Sequence, residues 1–139
     1  AQILELMKSL QQQFGMAIMF ITHDLGTIAG MADEVAVMYL GRIVERAPVK
    51  RIFSNPLHPY TVGLINSVPR LGSGKSGRLE SIEGTVPLPM DMPPQCGFLS
   101  RCDKAIAGTC DGHVPPLVEV EKDHFVRCVL YDDTQVVAS

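Results

Sequence analysis

No tryptophan occurs in this chain, and Phe and Tyr together hold the aromatic share to 6% of the 139 residues. A basic excess is missing too, since 12 Lys and Arg stand against 15 Asp and Glu, a net charge of -3. That excludes the basic face through which nucleic acid is ordinarily bound, so no nucleic-acid partner is expected. No apolar run exceeds the six residues of MAIMFI (16–21), far short of the roughly 20 that a membrane-spanning helix needs. The opening AQILELMKSLQQQF has neither a basic start nor a small-residue cleavage site, so no secretory leader is expected. It begins on Ala rather than Met, which leads us to expect that the natural product starts upstream. A phosphate cradle is missing as well. The stretch LGSGKSG (71–77) suggests one, but the pattern G-x-x-x-x-G-K-[ST] ending at Gly74-Lys75-Ser76 needs glycine at position 69, where the chain has Pro69.

What is present suits a folded chain, with 46% hydrophobic residues. Ile3, Leu6, Met7, Leu10 and Phe14 recur at helical spacing and predict an amphipathic helix over 1–14, stopped by Gly15. MAIMFI then reads as a strand buried on both faces, as in a parallel sheet flanked by helices. Asp24 is placed to cap a short helix reaching about Ala32. EVAVMYL (34–40) and RIVER (42–46) read as two strands turning at Gly41-Arg42. PVKRIF suggests a short helix, and Pro59 suits the first turn of another whose apolar side is Leu64, Ile65 and Val68. Residues 69–95 are rich in Pro and Gly and predict an extended linker. This α/β arrangement leaves one sheet face without cover, so the chain is expected to lean on further sequence or on a second copy of itself.

His23 closes the run MFITHDLG, and ligands of open α/β sheets bind beyond the carboxyl ends of the strands. The segment from AQILELMKSLQQQF through MFITHDLG and EVAVMYLGRIVER to SNPLHPYT resembles the closing part of an ATP-binding subunit of an ABC transporter, and NPLHPYT narrows the resemblance to the oligopeptide/dipeptide (and nickel) importers. That resemblance implies the tail of a P-loop NTPase nucleotide-binding domain. It implies that His23 is the switch histidine, a catalytic residue contacting the γ-phosphate of MgATP and the attacking water in the full-length protein. It also implies membrane permease subunits and a second ATP-binding subunit as partners, at the cytoplasmic face of the membrane. None of the family's Walker A, signature or Walker B motifs occurs in these 139 residues, so alone they are expected to be inactive and to self-associate. His58, before Pro59, is expected to cap the following helix rather than to do chemistry.

All four cysteines stand late in the chain, as Cys96-x5-Cys102-x7-Cys110-x17-Cys128. Four thiolates can complete a tetrahedral zinc site or hold an iron–sulfur cluster, and either would staple a segment with little core of its own. A second zinc set would join Cys110 and His113 to His124 and Cys128. Among the peptide-importer ATPases a similar C-terminal motif holds a 4Fe-4S cluster, which the resemblance extends to Cys96, Cys102, Cys110 and Cys128. The middle gap here is seven residues where that pattern has six. The expected division is therefore 1–54 nucleotide-binding-domain tail, 55–70 helical extension, 71–95 linker, and 96–139 a small irregular cysteine-rich metal-binding tail. The alternative is a stand-alone metal-binding interaction module.

Overall fold

The computed structural model describes residues 2–68, 82, 84–88, 90–91 and 93–132. Gly74-Lys75-Ser76, and most of the expected linker, lie outside them. The described part of the linker carries neither helix nor strand.

Helix α1 runs over Gln2–Phe14 and ends where Gly15, at φ 62°, returns its N–H to the Gln11 carbonyl. Helix α2 spans Leu25–Met31. A four-stranded antiparallel sheet follows, built from β1 (Glu34–Tyr39), β2 (Arg42–Pro48), β3 (Val118–Glu121) and β4 (His124–Val126) in the order β1-β2-β4-β3. Two short helices, α3 (Val49–Ser54) and α4 (Pro59–Asn66), continue directly from β2.

Two expectations are corrected here. Residues 16–21 form no strand, and the sheet is not parallel: Met19 and Ile21 are each 87% exposed and no described strand pairs with them. A lone extended segment has no ladder in which to place its N–H and C=O groups, so apolar character by itself cannot make a strand. The cysteine-bearing tail, in turn, is not wholly irregular. Its β3-β4 hairpin turns at Asp123, with φ 62°, and docks β4 against β2 through Glu45↔Val126 and Arg46↔Phe125.

The β1-β2 turn is Leu40-Gly41, one residue earlier than the sequence suggests. Both residues have positive φ, 47° and 77°, the combination a two-residue type I′ hairpin demands. A bulge between Val37 and Met38 leaves Val44 as an extra residue in β2, because Val37 faces Glu45 and Met38 faces Ile43. The bulge buries the consecutive residues Val44 and Glu45, which a regular strand would send to opposite faces. Val35, Val37, Tyr39, Val44, Ala47, Ile52 and Phe98 form the core, so the cysteine loop contributes to it through Phe98.

Gly41→Ala should lower stability by about 1 kcal/mol, since a Cβ is strained at its positive φ. Gly30→Ala, in α2 with open space around it, should be neutral or raise stability by up to about 1 kcal/mol. Urea denaturation of both variants measures the contrast.

Candidate functional site

His23 lies in the bend between α1 and α2 and is exposed. Its neighbours fix the local chain: Asp24 Oδ1 accepts from the N–H groups of Gly26 (3.0 Å) and Thr27 (3.3 Å), and Thr22 Oγ1 accepts from the Asp24 N–H at 3.0 Å. The Thr27 hydroxyl donates to Asp24 Oδ2 at 2.7 Å, and this bond first of all holds the Asp24 carboxyl below its usual range. The cap expected at Asp24 is thus present, and it sets His23 at the mouth of α2 with its ring in solvent.

Cys96, Cys102 and Cys110 sit on a separate loop, and Cys128 follows β4. The Cys96 N–H donates to the Cys110 carbonyl at 2.9 Å, closing the loop, and the 3-10 turn Leu99–Arg101 carries the chain to Cys102. The Ile106 N–H donates to Cys110 Sγ at 3.3 Å, and nearby amides (Phe98 and Leu99 for Cys96, Lys104 for Cys102, Leu130 for Cys128) favour the charged form of the other three thiols, though less than burial opposes it. Burial pushes the Cys96 and Cys102 thiols up and carries Cys128 to about 11, with the charges of the other cysteines adding to the rise. All four are free thiols. Their sulfurs feel one another's charge, yet among the described residues no group of three or more His, Cys, Asp or Glu side chains is arranged to hold a single metal ion. The donor set therefore suits a shared thiolate-bound group in its chemistry and its amide support, but it is not gathered around one ion.

The alternative zinc set of Cys110, His113, His124 and Cys128 is likewise not gathered among the described residues. His124 is fully buried, and its Nε2 is engaged by Glu45 Oε1 at 2.7 Å. His113 faces Asp132, with Nε2 to Oδ2 at 3.9 Å, rather than a cysteine.

Sequence reasoning missed the centre of this region, Glu45. Its carboxylate is fully buried and is met by the Leu57 N–H (2.8 Å) and the His58 N–H (3.0 Å) as well as by His124. A glutamate directly after the apolar pair Ile43-Val44 in a strand was the available signal. His58 caps α4 as expected, its Nδ1 accepting from the Tyr60 N–H at 3.1 Å. Pro59 then starts the helix, and Tyr60 packs on Tyr39 (4.8 Å between ring centres) and on Phe98 (5.3 Å). Tyr39 meets Phe98 edge-on at 5.2 Å, and His58 stands 5.8 Å from the same ring. The His-Pro-Tyr triplet is thus the seat on which the cysteine loop rests, two residues from Cys96.

Residues 44–110 match the family described as the oligopeptide/dipeptide transporter, C-terminal region, and the chain belongs to that family of ABC-transporter ATP-binding subunits. It is 46% identical over 138 residues to a putative peptide import ATP-binding protein of Brucella melitensis and 47% identical over 133 residues to the oligopeptide transport ATP-binding protein AppD of Bacillus subtilis. Against the dipeptide transport ATP-binding protein DppF of Escherichia coli it is 44% identical over 138 residues. These alignments cover 96%, 96% and 97% of this chain and 40% of each relative. The chain therefore spans about two-fifths of the length of the curated relatives it matches.

Burial depresses His58 from 6.5 to about 4, against the smaller opposing pull of Glu45. The unfolded chain therefore takes up the proton first, so stability contributed by neutral His58 is present above pH 6.5 and lost as pH falls toward 4. The loss should amount to ~2–3 kcal/mol. His58→Asn, which keeps a capping side chain, should flatten this acid limb in urea unfolding followed from pH 7 to 4.

Proposed function

We propose that this chain is the C-terminal portion of an ATP-binding subunit that powers peptide import by an ABC transporter. The observation that carries the reading is relatedness to peptide-import and peptide-transport ATP-binding proteins over nearly the whole chain. In the complete subunit, His23 hydrogen-bonds the γ-phosphate of MgATP and the attacking water. Phosphoryl transfer depends on positioning and on charge stabilisation, and a ring N–H held at the γ-phosphate serves both. The exposed ring beside a rigidly capped α2 supports that role, because it is anchored through its backbone and open toward solvent. The partners are membrane permease subunits and a second ATP-binding subunit, at the cytoplasmic membrane face. No helix among the described residues is long and apolar enough to cross a membrane, which accords with a peripheral subunit.

Apolar residues of α1 and of the run after it would meet the rest of the nucleotide-binding domain: Ile3, Leu6, Phe14, Met19 and Ile21 are all exposed here. The 139 residues alone would therefore hydrolyse no ATP and would self-associate through that surface.

Cys96, Cys102, Cys110 and Cys128 hold a 4Fe-4S cluster in this reading. The Ile106 N–H on Cys110 Sγ, and the amides near the other three thiols that favour their charged form, support it, since the thiolate is what binds iron. A cluster also asks for wider sulfur spacing than one zinc ion, because iron and sulfide lie between the thiolates. When bound, it staples the loop; the His-Pro-Tyr seat orients the loop before loading. Raised thiol pKa values mean that loading releases protons and weakens as pH falls.

In the complete subunit, His23→Ala should lower ATP hydrolysis by roughly 100-fold or more while ATP binding stays within a few-fold. Hydrolysis near the wild-type rate would overturn the switch role. For the cluster, anaerobic purification should give a broad visible absorption with about four iron per chain, lost in Cys110→Ser. Colourless protein with stoichiometric zinc would refute the cluster and leave the transporter assignment standing.

A further inference from the structure

The end of the β1-β2 hairpin, the start of α4 and the loop around Cys96 enclose a cavity of about 360 Å³. Its apolar wall includes Val44, Phe98 and Pro115, and its polar wall includes Arg42, His58 and Arg127. Among the described residues no Asp or Glu lines it, although acidic residues outnumber basic ones in the chain. A pocket of this size, mostly apolar with a few convergent polar groups, has the make-up of a small-molecule site.

The polar wall is built rather than incidental. Arg127 is anchored from β4 by its Nε, which donates to the Ile43 carbonyl at 3.0 Å, and by its Nη1, which donates to the Pro115 carbonyl at 3.1 Å. Its Nη2 edge is left for another acceptor. His58 is 1% exposed, and its Nδ1 is occupied by the Tyr60 N–H. The proton of the neutral ring therefore sits on Nε2, at the cavity wall, and no hydrogen bond among the described residues uses it. Arg42 opens β2 across from Tyr39, and no ion pair holds its guanidinium among the described residues. Three donors, with no carboxylate among the described lining residues, ask for an acceptor with negative charge.

We propose that this cavity binds a small carboxylate with an apolar body, the charge taken by Arg42, Arg127 and the His58 Nε2–H and the body lying against Val44, Phe98 and Pro115. The carboxylate can belong to a free acid or to the C-terminus of a short peptide. The site depends on neither the transporter reading nor the metal reading. Because Cys96 borders the cavity, binding is measured on one preparation of fixed metal content.

Two acid–amide pairs test it on the 139-residue chain: phenylacetate against phenylacetamide, and acetyl-Ala-Phe against its C-terminal amide. Calorimetry should show at least one acid binding roughly tenfold or more tighter than its amide. The His58 Nε2 resonance should shift in ¹⁵N–¹H spectra on the same titration. Arg42→Gln should abolish the acid–amide difference while leaving thermal unfolding unchanged, since Arg42 is exposed and no ion pair holds it among the described residues. Preference for phenylacetate marks a free acid as ligand, and preference for the dipeptide a peptide terminus. Equal binding of acid and amide, no binding by any probe, an unmoved His58 resonance, or full competition by equimolar inorganic phosphate would each overturn the proposal.

Discussion

A carboxylate with no water around it must find its donors in the protein, and Glu45 finds three of them in two distant parts of the chain. The N–H groups of Leu57 and His58 come from the start of α4, and the His124 ring comes from β4. Removing such a charge from water costs several kcal/mol, and the donors offset that cost only when all are present. Hairpin, His-Pro-Tyr segment and tail therefore have to assemble together. The bulge at Val44 makes this possible by sending Glu45 to the face it shares with Val37 and Val126.

The cysteine loop depends on the same centre one step further out. His58, held at its backbone by Glu45, caps α4 with its side chain and borders Phe98 with its ring. Tyr39 and Tyr60 complete the seat, and Arg101 lies over Tyr39 while donating to its hydroxyl at 3.4 Å. The aromatic packing holds Phe98 in the core, and with it the backbone that follows Cys96. Outside, Arg46 bridges two strands by pairing with Glu34 at 2.6 Å and lying over the Phe125 ring. Such exposed contacts contribute little energy but agree with the register that Glu45 imposes.

Local signals in the sequence were read correctly where the chemistry is local. Asp24 and His58 cap helices because their side chains reach N–H groups two or three residues ahead, and Pro59 opens α4 because its fixed φ suits a first turn. The β1-β2 hairpin was legible from alternation and from Gly41, though the turn sits at Leu40-Gly41. MAIMFI failed for the opposite reason, since an apolar run cannot say whether a neighbouring strand is present to pair with it. Spacing alone could not place His124, because a histidine four residues from a cysteine can as well meet a carboxylate 79 positions away in sequence.

By itself, then, the sequence determined the caps, the hairpin, the cysteine spacing and the His-Pro-Tyr segment, all properties of residues a few positions apart. The tertiary structure alone decided that the tail supplies two strands, that Glu45 is buried with its three donors, and that Arg42, His58 and Arg127 line one cavity. Those outcomes rest on contacts between remote segments, whose energies come from desolvation and packing that no short stretch of sequence encodes.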